Sequence, residues 1–190
     1  MFFIEPKQTI NQPHLKNRNF SFWLLCFLNF LYPIAFSKLR IMSKYKFSVS
    51  ALIPAPPKIV YNIIVDYKNS HPKILPKPPF VSLVVEEGGL GAGSVLKVQM
   101  KVAGKLQTFK TVVTEPEPGR ILVETNDTGY ITNFIVEPRD DGNSSYVTFT
   151  TEIPVNSKLS KKIEFFFSKM ILPPVYKKEL ENLSREACSP

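Results

Sequence analysis

Between Phe80 and Pro154 the chain alternates apolar and polar residues with a period of two, in six runs separated by turn-forming residues. In "SVLKVQMKV", Leu96, Val98, Met100 and Val102 fall on one side, and Lys97, Gln99 and Lys101 on the other. "FVSLVVEE", "KLQTFKTVVTE", "ILVET", "YITNFIVEP" and "YVTFTTEIP" are the other runs. They are joined through "GGLGAG", Gly104, "PEPGR", "NDTG" and "RDDGNSS". Alternation of this kind belongs to strands with one buried face. Turns this short join antiparallel neighbours. An earlier run, "KYKFSVSALI" at 44–53, sets Tyr45, Phe47, Val49, Ala51 and Ile53 against Lys44, Lys46, Ser48 and Ser50. Seven such strands make a sheet whose apolar face must be covered.

Few segments can cover it. "PAPP" stops the first strand, and Pro57 suits the first turn of a helix carrying Ile59, Val60, Ile63 and Ile64 on one face. "DYKNSHPKILP" reads as a short helical turn, with His71 extended or turn-like because proline follows it. After Pro154, Leu159, Ile163, Phe166, Met170, Tyr176, Leu180, Leu183 and Ala187 recur at spacings near those of a helical face. A helix from Lys158 to Glu186 spans about 43 Å at ~1.5 Å per residue. A kink or break is expected at Pro173 and Pro174, which lack the N–H that a helix interior uses. The order is strand, two short helices, six strands, long helix. A strongly curved sheet around one helix leaves space between them, and a lined apolar cavity is a ligand site by default.

The first 43 residues differ from the rest. Residues 20–36, "FSFWLLCFLNFLYPIAF", lie between Lys16, Arg18 and Lys38, Arg40. At 17 residues the run is at the short limit for a spanning helix, about 17–25, and Asn29 and Pro33 interrupt it. Three readings stay open: an extension foreign to the natural protein, a membrane signal-anchor, or a cleaved signal peptide. Met42 opens "MSKYKFSVSALIPAPP", a complete start, so a chain beginning there is expected to be soluble and folded. The domain is therefore placed at 44–187 and the extension at 1–43. A cytoplasmic location is expected, with anchoring through 20–36 as the alternative.

The net charge of +8 does not mark a nucleic-acid protein. Half of it sits in residues 1–43, where Lys7, Lys16, Arg18, Lys38 and Arg40 face only Glu5. The body has no dense Lys/Arg stripe. Cys26 and Cys188 are the two cysteines, near opposite ends, which indicates neither a disulfide framework nor a CxxC zinc site. No metal or cofactor is expected, and a monomer is.

The candidates for chemistry are few. His71 is flanked by Lys68, Lys73 and Lys77, so it reads as an exposed turn residue ahead of a general base or metal ligand. "GGLGAG" lacks the dinucleotide-binding spacing and precedes a strand, so it reads as a flexible hairpin loop that could gate a cavity. The strand carboxylates Glu124 and Glu152 read as outward, opposite Val123 and Ile153, and the other carboxylates sit mostly at turns. Inward polar groups are expected among Thr111, Thr125, Thr132, Thr151 and Tyr130. No catalytic residue is assigned, because acid–base work needs inward ionisable groups and none is evident. "EFFFSKM" at 164–170 reads as core, with a cavity wall or a transient membrane contact beside Lys161, Lys162 and Lys169 as the other options.

The opening "YKFSVSALIPAPPKIVYNIIVDYKN", the "GGLGAGSVLKV" turn and the terminal "PPVYKKELENLSREA" resemble the START-like (SRPBCC) superfamily, in its polyketide cyclase/dehydrase and lipid-transport branch. The resemblance covers about residues 44–187. It implies an α+β helix-grip fold, a curved seven-stranded antiparallel sheet around the C-terminal helix. It also implies a pocket for a hydrophobic small molecule such as a lipid, quinone or polyketide. "DYKNSHPKILP" is similar to the corresponding turn of coenzyme-Q-binding relatives, which supports a quinone as one candidate. The expected role is carrier or sensor, with a cyclase/dehydrase using the same cavity as the alternative. The expected ligand-binding residues are Val98, Met100, Phe109, Thr111, Tyr130, Phe134, Phe149, Ile163, Phe166 and Met170.

Overall fold

The computed structural model describes residues 44–102, 104–154 and 159–189, with side chains for 45–102, 104–154 and 170–189. The expectations for residues 1–43 and for the side chains of Ile163 and Phe166 lie outside this range.

The period-two runs form seven strands: β1 (Lys44–Ile53), β2 (Phe80–Glu87), β3 (Val95–Val102), β4 (Lys105–Glu117), β5 (Ile121–Asn126), β6 (Ile131–Arg139) and β7 (Ser144–Pro154). They build one sheet in the order β1-β7-β6-β5-β4-β3-β2, with every pair antiparallel. β2 through β7 follow one another as a meander, and β1 joins the far edge beside β7. The other edge, β2, carries register shifts between Phe80 and Ser82 and between Val85 and Glu87. Such bulges twist an edge away from further pairing.

Two short helices follow β1, α1 (Pro57–Val65) and α2 (His71–Ile74), and the chain ends in α3 (Leu159–Ala187). α1 starts with Pro57 in its first turn and buries Val60, Tyr61, Ile63, Ile64 and Val65. Ile59, expected on that face, is exposed. α3 packs against β1, β7, α1 and α2. This is the α+β helix-grip arrangement that the resemblance implies, built on the seven-stranded antiparallel sheet that the strand pattern predicts. Of the kink or break expected at Pro173 and Pro174, the break does not occur: α3 runs through both residues. Beyond them Val175, Tyr176, Leu180 and Leu183 are buried, so core packing holds the helix past its missing N–H groups. Lys73 Nζ meets Glu186 at 2.6 Å, and Asn182 Nδ2 donates to the Ile74 carbonyl at 2.8 Å, tying α2 to α3.

The glycine-rich loop is pinned, not free. Gly91 N–H donates to the Val65 carbonyl, Tyr67 N–H to that of Gly89, and Gly93 N–H to that of Val113, each at 3.0 Å. The Glu115 carboxylate accepts from Ala92 N–H at 2.8 Å and from Tyr61 O–H at 2.6 Å. This ties β4, α1 and the loop together, so the expectation of a flexible gate is corrected. Gly91 has φ +56°, and a Cβ there would collide with the Glu115 carboxylate. Gly91→Ala is expected to cost about 1–2 kcal/mol, read as a lower urea midpoint at unchanged slope.

Candidate functional site

The inner face of the sheet, α2 and the second half of α3 enclose a cavity of about 550 Å³. Ligand pockets range over roughly 300–1,000 Å³. Its apolar wall comes from Phe80 and Leu83 on β2, Val98 and Met100 on β3, Phe109 on β4 and Phe134 on β6. Leu75, Ile171 and Leu172 complete it from the helical side. The alternation explains the set, because inward positions two apart on β3 and β4 converge on one space.

Of the expected ligand-binding residues, Val98, Met100, Phe109, Thr111, Tyr130 and Phe134 line the cavity. Phe149 and Met170 are placed elsewhere. Phe149 is fully buried behind the wall, edge-on to Phe134 at 4.6 Å and to Tyr176 at 5.8 Å between ring centres. Met170 is 61% exposed, and the residues after it, Ile171 and Leu172, face the cavity in its place. Thr132 and Thr151 line the cavity as expected, whereas Thr125 is exposed.

The polar end of the cavity is where the structure departs most from expectation. His71 is 2% exposed, not a solvated turn residue. Asp66 builds the turn that carries it: its carboxylate accepts from the N–H groups of Lys68 and Asn69 at 3.2 and 3.1 Å, and its carbonyl from His71 N–H at 2.8 Å. The turn sends the lysines outward and the imidazole inward, onto the Tyr67 ring at 4.6 Å. His71 opens α2 instead of lying extended, with Pro72 tolerated in the first turn of that helix. His71 Nδ1 lies 2.6 Å from the Ile64 carbonyl oxygen, which can only accept, so Nδ1 carries the proton. Burial lowers the His71 pKa to about 4, against the Ile64 hydrogen bond and the Asp66 charge. The ring is therefore neutral at pH 7, and Nε2 is an acceptor.

Glu124 points inward, not outward. β5 pairs Glu124 with Val113 and with Thr132, which places Leu122, Glu124 and Asn126 on the inner face. Glu124 Oε1 accepts from Tyr67 O–H at 2.7 Å. Burial pushes its carboxyl up to about 7, although the Tyr67 hydrogen bond opposes this. Glu152 does face outward, 4.0 Å from Lys46.

A second inward carboxylate was not anticipated. Glu179 on α3 is 2% exposed and lines the same cavity. Burial, and then the charge of Glu124, hold its carboxyl well above the usual carboxylate range. The pattern that could have found it is a charged residue on an apolar helical face, between Tyr176 and Leu180 and four before Leu183. Nearby, Tyr176 O–H lies 2.7 Å from Thr151 Oγ1 and 3.2 Å from Thr132 Oγ1, and the two threonines lie 3.1 Å apart. These three hydroxyls can satisfy one another in a ring.

Chemically, the cavity combines a large apolar wall with two carboxyls of raised proton affinity and a neutral imidazole. A family model described as polyketide cyclase/dehydrase and lipid transport matches residues 44–187. The chain belongs to this family, within the START-like superfamily. No curated protein matches its sequence. Among solved structures, the KanY protein is 25% identical with a TM-score of 0.67, over 78% of this chain and 100% of its own. The Zhui aromatase/cyclase from Streptomyces sp. R1128 is 15% identical with a TM-score of 0.60, over 76% of this chain and 94% of its own. The di-domain aromatase/cyclase BexL is 16% identical with a TM-score of 0.60, over 77% of this chain and 51% of its own. At 15% and 16% identity the last two share the fold, and what they act on remains theirs. Among the described residues of this family member, no helix is long and apolar enough to cross a membrane.

Proposed function

We propose that this protein binds a hydrophobic small molecule in the cavity between sheet and C-terminal helix, as a carrier or sensor. The observation that carries the reading is the cavity of about 550 Å³ with Phe80, Leu83, Val98, Met100 and Phe109 on its wall. Affinity comes chiefly from apolar burial, about 25 cal/mol per Å². The family description, which names lipid transport, is consistent with it.

A second reading shares the cavity: a cyclase or dehydrase of polyketide-like substrates. One observation favours it, the inward pair Glu124 and Glu179, of which Glu124 has its pKa raised to about 7. A carboxyl poised near the working pH is suited to moving protons. The expectation of a carrier had rested on the lack of such a pair, so that ground is gone. The two readings separate on turnover. An enzyme consumes a poly-β-ketone substrate and loses that activity in Glu124→Gln, while a carrier returns the same compound unchanged.

Both readings require an accessible cavity. Met100 is 9% exposed and faces it, so Met100→Trp is expected to fill the space. Uptake of the neutral fluorophore N-phenyl-1-naphthylamine should fall by about tenfold or more, a loss of roughly 1.4 kcal/mol, while thermal unfolding stays cooperative. Unchanged uptake would place binding elsewhere. A collapsed fold would mark Met100 as solid core.

A further inference from the structure

Three groups at the polar end of the cavity each keep an acceptor site that no donor fills among the described residues. Among the described residues, nothing hydrogen-bonds the carboxyl of Glu179, although that side chain is 98% removed from solvent and lines the cavity. Glu124 receives Tyr67 O–H on Oε1 only. His71 spends its ring proton on Ile64, which leaves Nε2 an acceptor on a residue that lines the cavity. The neighbouring hydroxyls of Thr132, Thr151 and Tyr176 are occupied with one another.

Among the described residues, no cation of the wall compensates. Among the described lining residues the basic side chain is Lys105, and it is exposed. It sits eight residues before Val113, the partner of Glu124 across β4 and β5. That is roughly 27 Å of strand at ~3.4 Å per residue, far beyond the reach of a lysine side chain. Among the described residues, the two carboxyls thus share the cavity with no positive partner. In that setting each disfavours ionisation of the other, and burial away from bulk water penalises either charge. A ligand that brings a positive, proton-donating head would remove both costs and leave its tail on the apolar wall.

We propose that the ligand of this cavity is an amphiphilic amine, with its ammonium group held between Glu124 and Glu179, facing His71 Nε2, and its apolar body along Val98, Met100 and Phe109. This rests on the cavity being a ligand site. An ammonium group offers three donors, and the end of the cavity offers the Glu179 carboxylate, the second oxygen of Glu124 and the imidazole nitrogen.

The test is competition against N-phenyl-1-naphthylamine on the full chain at pH 7, with dodecylamine, dodecanol and dodecanoic acid, each below its micelle concentration. The three share one tail and differ in the head. Dodecylamine is expected to displace the fluorophore about tenfold more tightly than dodecanol, the worth of one charge-assisted hydrogen bond, and dodecanoic acid more weakly than either. Glu179→Gln is expected to erase the preference for the amine while fluorophore uptake persists, which also shows that the variant is folded. Equal displacement by all three, or a preference for the acid, overturns the amine while leaving the cavity as a ligand site. A preference that survives in both Glu179→Gln and Glu124→Gln overturns the assigned carboxyls. No fluorophore uptake and no dodecylamine binding in the unaltered chain overturns the cavity reading and this one together.

Discussion

Phe149→Ala is expected to lower the unfolding free energy by about 3–5 kcal/mol, the usual cost of removing a fully buried aromatic ring. Phe149 has no exposed surface and joins the core around Phe134, Val147, Leu180 and Leu183. Its ring is edge-on to Phe134 and to Tyr176, so it couples β6, β7 and α3. The void left behind lies behind the cavity wall, not in the cavity. Urea unfolding is expected to show the loss as a lower midpoint at unchanged slope. A change below about 1 kcal/mol would mean that the helix does not depend on this contact. The contrast with Met100→Trp is instructive: one substitution is expected to cost stability, the other ligand uptake.

Glu124→Gln is expected to stabilise the ligand-free protein, and by more as pH rises. The folded-state pKa of Glu124 is raised from the ordinary 4.5 to about 7. The folded protein therefore binds more protons than the unfolded chain between those values, and its stability falls as pH rises through them. Below pH 4.5 the carboxyl is protonated in both states and the substitution changes little. Above pH 7 the penalty is full, about 3 kcal/mol at ~1.4 kcal/mol per pKa unit before water in the cavity screens it. Gln keeps an oxygen to accept Tyr67 O–H, so the bond at 2.7 Å need not be lost. Removing the Glu124 charge also relieves Glu179, whose own elevation depends partly on it. His71 works in the opposite sense: its pKa is lowered to about 4, so it destabilises the fold as pH falls below 6.5. It is present in both proteins and drops out of the difference. Urea unfolding of both chains at pH 5 and pH 8 checks the prediction. A gain no larger at pH 8 than at pH 5 would contradict it.

Why the fold was legible and the polar end was not has a physical answer. Strands such as β3 alternate without ambiguity, so their inner faces, and with them Val98 and Met100, follow from the residues alone. In β5 the alternation is weak, because the run is short and opens on three apolar residues. Ile121, Leu122 and Val123 are consecutive apolar residues, so either parity is allowed locally. Reading Val123 as inward turned Glu124 outward. Only the pairing of β5 with β4 and β6 decides the parity, and a slip of one residue exchanges the faces. His71 was hidden by its neighbours, since Lys68 and Lys73 around it are solvated. Its burial comes from the Asp66 turn and the Ile64 carbonyl, contacts that residue spacing does not announce. Glu179 was legible in principle, as an acidic residue on a helical face otherwise carrying Tyr176, Leu180 and Leu183.

The central claim is that ligands enter the space between sheet and helix, and the methionines offer a direct test. Met100 lines the cavity at 9% exposure, whereas Met170 lies at 61% exposure outside it. In the full chain labelled with carbon-13 at the methionine methyls, Met100→Leu and Met170→Leu assign the two signals. On titration with N-phenyl-1-naphthylamine the Met100 methyl is expected to shift to saturation with the fluorescence change, while the Met170 methyl stays in place. A Met100 signal that does not move while the fluorophore binds would contradict the account.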